Sequence, residues 1–274
     1  LRSDELDLLH KLHAQVRART GRDFSQYKRS TVLRRVARRM QFRGVDRLDA
    51  YLQVLRENPD EVSTLADELL ITVTGFFRDP EVFAALEGSY LPALFQRKRP
   101  EGDLRVWSVG CATGEEAYSL AIVLLEVAER LEQPARFQIF ASDLSERSLE
   151  RARSGFFFGD IEADVGEARL RRWFTREPTG YQIRKDVREK VIFSPHNLLA
   201  DPPYSRLDLV VCRNLFIYLR QQLQKQVAEL FHYALEPDGL LVLGASEGLE
   251  ATSLFRTEDK RLSIFRRRSV PGPE

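Results

Sequence analysis

Apolar residues recur at helical spacing through the opening of the chain. Leu6, Leu9, Leu12 and Val16 define one apolar face, which predicts a helix over residues 4–19 that Gly21 stops. Val32, Leu33, Val36, Ala37 and Met40 do the same for residues 30–43, with Gly44 just beyond. A third helix is predicted over 48–57, ended by Asn58-Pro59, and a fourth over 60–70. No alternating run interrupts them, so residues 1–75 read as a small all-helical domain. Residues 76–102 read as a linker, with one further helix over 79–97 and Pro80 in its first turn.

From Leu104 the pattern changes. A short apolar run (104–109), a helix (114–130), a second run (136–141) and a helix (145–153) alternate in the rhythm of a parallel sheet. Residues 155–190 break it: Phe156-Phe157-Phe158, Trp173-Phe174 and the alternating Tyr181-Gln182-Ile183-Arg184 predict a small inserted antiparallel unit. The rhythm resumes with strands over 191–194 and 207–212, a helix over 220–235, a turn at Pro237-Asp238-Gly239, and strands over 240–244 and 262–265. Residues 103–268 are thus expected to form an α/β, Rossmann-like domain, and 269–274 a disordered tail.

The most informative stretch is Trp107-Ser108-Val109-Gly110-Cys111-Ala112-Thr113-Gly114-Glu115-Glu116. A strand runs into a Gly-bearing loop from which a helix opens, which in an open α/β sheet is where a nucleotide-like ligand docks. The dinucleotide fingerprint is missing, because G-C-A-T-G-E does not match G-x-G-x-x-G. Two carboxylates also stand where a pyrophosphate would need bare N–H groups. A ligand with a cationic amine and no phosphate fits better, and S-adenosylmethionine has both properties. Asp143, ending the second strand, can bind the two hydroxyls of a ribose or cap the next helix in competition with Ser145. Glu115 and Glu116 can bind the ligand or simply favour a helix N-terminus.

Composition narrows the setting. With 274 residues, 43% hydrophobic and 30% charged, the chain is globular. It carries no run of roughly 18 apolar residues of the kind that spans a membrane. Its first residues, Leu1-Arg2-Ser3-Asp4-Glu5, do not read as a leader. Cys111 and Cys212 are the only cysteines, and four histidines are scattered, so the expectation is a cytoplasmic protein without disulfide framework or metal.

Several motifs occur together and in order: residues 71–80 (Ile71-Thr72-Val73-Thr74-Gly75-Phe76-Phe77-Arg78-Asp79-Pro80), Gly110–Ser119, Ala141-Ser142-Asp143, Asn197-Leu198-Leu199 and Cys212-Arg213-Asn214-Leu215-Phe216-Ile217-Tyr218. In this combination the chain resembles the CheR family of bacterial chemotaxis receptor methyltransferases over about residues 4–268. The resemblance implies a class I S-adenosylmethionine-dependent methyltransferase fold with a helical N-terminal domain. It also implies transfer of a methyl group to receptor glutamates, giving methyl esters. Carried over by residue, it implies that Gly110 lies in the cofactor loop, Asp143 holds the ribose, and Asn197 and Leu198 line the adenine. Asn214 and Leu215 would floor the methionine portion, and Glu116, less readily Glu115, would meet its amino group. Thr72, Thr74 and Arg78 would reach the ligand, and Arg78 and Tyr218 would flank the reacting centre. Phe76 and Phe77 are expected to pack rather than react, and His196 to be only Asn197's neighbour.

Between residues 17 and 47 the acidic side chains are Asp23 and Asp46 alone, against a run of lysines and arginines. Arg34, Arg35, Arg38 and Arg39 fall on one side of the second helix. A solvated face or a phosphate-binding stripe are open readings; the resemblance favours docking on the acidic helices of a chemoreceptor. Some relatives grip a tethering peptide at a receptor's C-terminus with a longer loop in the inserted β-unit. Here Phe174–Tyr181 reads as shorter, the pentapeptide-independent type. A monomer is expected, with no nucleic-acid partner and no membrane insertion. Asp201-Pro202-Pro203-Tyr204 matches the D-P-P-Y motif of methyltransferases acting on DNA bases, but it precedes the strand that it should follow. A non-enzymatic cofactor-binding regulatory module is the second reading.

Overall fold

The amphipathic helices of the N-terminal region close on one another. They are α1 (Ser3–Thr20), α2 (Arg29–Phe42), α3 (Leu48–Glu57) and α4 (Pro59–Leu69). Leu9, Leu12 and Val16 of α1 are buried, as are Val32 and Val36 of α2, Tyr51, Leu52 and Leu55 of α3, and Val62, Leu65 and Leu69 of α4. Asn58 caps α4 by accepting the Glu61 N–H, with Pro59 pre-set in the first turn. The computed structural model describes residues 3–25, 27–70, 73–97, 102–249 and 253–270, and it falls into two compact units. The first comprises residues 1–71 together with 218–223; Tyr27 and Leu219 form an antiparallel bridge within it.

Ala37, expected on the apolar face of α2, is exposed, and a second expectation fails in this unit. Arg39 does not share the exposed stripe of Arg34 and Arg38. Its side chain is 8% exposed and grips Glu61, which is fully buried. Nε and Nη2 of Arg39 donate to the two carboxylate oxygens at 2.9 and 2.6 Å, Arg43 Nε adds a bond of 2.8 Å, and the Tyr51 hydroxyl another of 2.8 Å. Arg39 also reaches Glu68 at 3.2 Å. Burial opposes ionisation of Glu61, but hydrogen bonds from Arg39, Tyr51 and Arg43 outweigh it and hold its pKa at about 2. The basic face open to solvent is Arg34 and Arg38, with Arg35 half-buried beside them.

The second unit comprises residues 72–217 and 224–274. It opens with α5 (Pro80–Ala85) and α6 (Leu91–Arg97), separated by a π-helical turn over Leu86–Tyr90. The single helix predicted over 79–97 is therefore interrupted. Pro92 has no N–H for the carbonyl four residues back and would crowd it, and the wider turn, with Leu91 N–H bonded to Leu86 O, relieves the clash. Then follow β1 (Leu104–Val109), α7 (Glu115–Arg130), β2 (Phe137–Asp143), α8 (Glu146–Ser154), β3 (Phe156–Phe158), α9 (Glu162–Val165), α10 (Glu167–Trp173), β4 (Phe174–Glu177), β5 (Gly180–Ile183), α11 (Lys185–Arg188), β6 (Val191–Pro195), β7 (Leu207–Cys212), α12 (Gln221–Ala234), β8 (Leu235–Leu243), β9 (Phe255–Asp259) and β10 (Ile264–Arg267).

Seven strands form one sheet in the order β6-β2-β1-β7-β8-β10-β9. The pairs β1–β2, β1–β7, β2–β6 and β7–β8 are parallel, while β10 runs antiparallel to β8 and β9. The chain starts in the middle, winds outward through β2 and β6, then crosses to β7, so the topological switch lies between β1 and β7. The turn predicted at 237–239 is an irregularity inside β8, where Asp238 takes a positive φ of 59°. Strand β9 was not expected. Of its residues Phe255 alone is an inward hydrophobe, so no periodic signal marks it. Residues 271–274 of the expected tail lie outside the described residues. Among the described residues no helix is long and apolar enough to cross a membrane, and no cluster of His, Cys, Asp or Glu is arranged to hold a metal.

The insertion builds its own sheet, in the order β3-β5-β4, and locks onto residues 73–79. Phe76 stands edge-on to Phe157 and Phe174, with ring centroids at 4.8 and 5.5 Å. Arg169 lies 4.3 Å from the centre of the Phe77 ring and pairs with Glu126 and Glu87. Both phenylalanines are buried packing residues, as expected, and the Phe77 N–H donates to Ser119 Oγ at 2.9 Å.

Candidate cofactor site

Four adjacent parallel strands end in the four loops that carry the expected residues. Gly110 follows β1, Asp143 ends β2, Asn197 follows β6 and Asn214 follows β7. These loops therefore sit side by side along the carboxyl edge of the sheet, across the switch point where ligands of such sheets bind.

The loop after β1 is shaped by backbone demands. Gly110 has φ +68°, Ala112 +47° and Gly114 +98°. Gly110 and Cys111 donate their N–H groups to Ser142 O at 2.8 and 3.0 Å. A Cβ on Gly114 would stand 2.9 Å from Ala152 Cβ, so only glycine fits where α7 starts against α8. Of the two caps left open for α8 the fold uses Ser145, and Asp143 braces the loops instead. Its Oδ2 accepts the Ala112 N–H and its Oδ1 the Ser145 N–H, each at 2.9 Å, while Ser145 itself caps α8.

The two glutamates part company. Glu115 accepts the hydroxyl of Thr113, a local contact at the helix start. Glu116 turns toward the strand ends, where it accepts Ser108 Oγ at 3.0 Å and lies 3.4 Å from Arg213 Nη1. Burial pushes its pKa up, with Arg213, the Ser108 hydroxyl and Arg78 pulling against that and Glu247 adding to it. Arg213 is more tightly held elsewhere. Its side chain is 1% exposed, with Nη2 on Arg78 O at 2.6 Å and on Asp79 Oδ2 at 2.5 Å. A half-buried carboxylate that shares its nearest guanidinium with Asp79 is an acceptor suited to a cationic amine.

Arg78 bonds back to Val73 O at 2.8 Å, and Thr74 is half-buried in the same turn. Thr72 lies outside the described residues. Asn197 opens a tight turn, its N–H on Asp201 and its Oδ1 on the Leu199 N–H, with Leu198 buried next to it. Asn214 takes φ +61°, and Leu215 is half-buried beside it. Tyr218 belongs to the first compact unit, where its carbonyl accepts the Lys28 N–H at 2.8 Å. His196 and Tyr204 are ring-stacked, and Tyr204 also stacks on Phe140 and bonds Ser194 through its hydroxyl. The tyrosine of the D-P-P-Y motif is thus engaged as a packing residue.

Two participants were not foreseen. Arg213 stood inside a quoted motif without a role, though a basic residue beside a strand end could have flagged it. Glu247, 4% exposed, accepts backbone N–H groups of Gly244, Asn214 and Ile217, and nothing in its sequence neighbourhood marks it.

Asp143, Asn197, Leu198 and Glu116 thus stand along one edge of the sheet, where a nucleoside-bearing ligand docks. A Rossmann-like sheet with such a site is that of an S-adenosylmethionine-dependent methyltransferase. Residues 72–264 match the family described as CheR methyltransferase, SAM binding domain, and residues 7–70 its companion, CheR methyltransferase, all-alpha domain. The chain belongs to the CheR methyltransferase family. It is 43% identical over 227 residues to an "Uncharacterized 104.1 kDa protein in hypE 3'region" of Rhodobacter capsulatus, covering 83% of this chain and 24% of that protein. It is 32% identical over 240 residues to a chemotaxis protein methyltransferase of Escherichia coli K12, covering 84% and 80%. To chemotaxis protein methyltransferase 2 of Vibrio cholerae it is 31% identical over 252 residues, covering 89% and 87%. The chain therefore spans about a quarter of the first relative and most of the other two. Its activity is S-adenosylmethionine-dependent methylation of the chemotaxis-signalling class.

Proposed function

We infer that this chain forms methyl esters on glutamate side chains of a chemoreceptor's cytoplasmic helices, acting in the cytoplasm as a monomer. The observation that carries the reading is the pairing of a cofactor site, built on Asp143 and Glu116, with an all-helical CheR domain that presents exposed Arg34 and Arg38.

When bound, S-adenosylmethionine supplies a methyl group on a cationic sulfur that departs as a neutral thioether. A glutamate acceptor with a pKa of about 4.3 is already an anion at neutral pH, so no proton must be removed. This agrees with a site rich in carboxylates and arginines, in which His196 is committed to ring stacking. The chain's own contribution is to bind, orient and exclude water. Gly110 and Asp143 hold the ribose side of the cofactor. Asn197 and Leu198 line the base, Glu116 meets the amino group, and Thr74 reaches the ligand from the turn that carries Arg78. Asn214 and Leu215 form the floor, while Glu115 fixes the loop through Thr113. Arg78 orients the acceptor carboxylate, and positioning of this kind can contribute roughly 7–11 kcal/mol.

Arg34, Arg35 and Arg38 steer the acidic receptor helix, a role that sets encounter rate and register more than affinity. Strands β4 and β5 are joined only by Pro178-Thr179, with Glu177 paired to Gly180. So short a turn supports a pentapeptide-independent enzyme. The test is transfer of labelled methyl from S-adenosylmethionine to a chemoreceptor cytoplasmic fragment, followed by alkali. Release of the label as methanol is the expected result. Alkali-stable label, or no transfer to any receptor despite cofactor binding, would overturn the reading.

A further inference from the structure

The loop after β7 carries Asn214 and Leu215, yet it has little structure of its own. Asn214 is a non-glycine residue at φ +61°, followed by a single short 3-10 turn. Its backbone N–H groups point at one side chain. Oε2 of Glu247 accepts Asn214 N–H at 3.0 Å and Gly244 N–H at 2.6 Å, and Oε1 accepts Ile217 N–H at 3.1 Å.

Glu247 is itself fixed from two other strands. Its N–H bonds Gly244 O at 2.8 Å, just past β8. Its carbonyl accepts Ser263 Oγ at 2.8 Å, just before β10, and Leu243 N–H bonds Ser263 O at 3.0 Å. The fit is close: a Cβ on Gly244 would stand 2.8 Å from Glu247 Oε2 and 3.0 Å from Asn214 N. The ends of β7, β8 and β10 are thus tied at one buried carboxylate on the carboxyl edge of the sheet. Burial outweighs the backbone N–H groups and raises the pKa of this carboxyl above the ordinary carboxylate value.

We propose that Glu247 is a positioning residue for the methyl-donor site, holding Asn214 and Leu215 in the conformation that receives the cofactor. This rests on the assignment of Asn214 and Leu215 to that site. A carboxylate is the side chain for the task because it accepts on both oxygens and donates on neither. Glutamine in its place turns an NH2 group toward backbone N–H donors.

The test uses the full chain with S-adenosylhomocysteine as probe. Glu247→Gln is expected to speed amide hydrogen exchange in residues 213–217 by about tenfold or more while β7 and β8 stay protected. It should raise the Kd for S-adenosylhomocysteine about tenfold, and the KM for S-adenosylmethionine in parallel, with the KM for receptor unchanged. A merely structural role would lower the active fraction and leave both KM values alone. Glu247→Asp keeps the charge but withdraws it by one methylene; it is expected to fall between the two, and it carries the same comparison if Glu247→Gln does not fold. Unchanged exchange in the loop, or a loosened loop with unchanged Kd, overturns the proposal. Asn214→Ala separates the premises. If it leaves the Kd unaltered, the assignment of Asn214 fails, whereas the exchange measurement still judges Glu247.

Discussion

Replacing Glu116 by Gln removes one negative charge and leaves the shape almost intact. In the structure this carboxylate has the Ser108 hydroxyl at 3.0 Å and Arg213 at 3.4 Å, and Arg213 is held more closely by Asp79 and the Arg78 carbonyl. The charge is therefore poorly compensated until a cation arrives. A hydrogen bond to a charged group contributes about 1.5–3 kcal/mol. At about 1.4 kcal/mol per factor of ten, the Kd for S-adenosylhomocysteine should rise roughly 10- to 150-fold. Calorimetry at neutral pH measures it, with 5′-methylthioadenosine, which lacks the amino acid, as the internal control. The control's affinity should be the same for both proteins. Equal weakening of the two ligands would refute the argument, because Glu116 would then serve only as a partner for Arg213. The sign with pH follows from the raised pKa of Glu116. The anion is the binding form, so affinity for the amino-acid-bearing ligand falls as pH is lowered through a pKa above the usual carboxylate value of about 4.3, and falls less in the Gln variant.

Asp143→Ala should raise the Kd for S-adenosylhomocysteine at least about tenfold, since it removes the ribose acceptor and unties Ala112 and Ser145 together; unchanged calorimetric affinity would refute the assignment. The double variant Arg34→Glu/Arg38→Glu should cut kcat/KM for receptor and weaken its salt dependence while leaving Tm unaltered, whereas Arg39→Ala should cost about 3–5 kcal/mol of stability, read by denaturant melts, because it strands Glu61. Glu61 titrates at about 2 when folded, below its unfolded value, so its contribution is complete above about pH 4.5 and is lost as pH falls toward 2. That is roughly 3 kcal/mol, and the stability gap between the natural protein and Glu61→Gln should close over that window.

How much of this was legible in the sequence depended on whether a residue's partner lies nearby in the chain. The strand Leu104–Val109 and its Gly-bearing loop announce themselves because β1 is buried on both faces and so reads as a continuous apolar run. Asn58-Pro59 marks the start of α4 because cap and first turn are adjacent. Spacing placed Arg34, Arg35, Arg38 and Arg39 on one side of α2 but could not show that Arg39 meets Glu61, 22 residues on. The π-turn before Pro92 required knowing that the helix continues past it. Glu247 was invisible because its carboxylate's partners are all main-chain N–H groups, two of them 30 and 33 residues earlier, and a backbone donor leaves no trace in the identity of the residue that carries it.

The lodging of Phe76 between Phe157 and Phe174 has a consequence for how such proteins can be recombined. Residues 155–190 look like an appendage that could be exchanged between relatives as a cassette. Yet the insertion supplies the wall against which the Thr74–Arg78 turn is seated, through two phenylalanines and the Arg169 guanidinium over Phe77. A chimera that imports a foreign insertion and keeps this turn inherits a mismatched socket, and with it a displaced Arg78. The unit of exchange is therefore discontinuous: the insertion travels with residues 73–79, some eighty positions upstream of it, or the catalyst is lost while the fold survives.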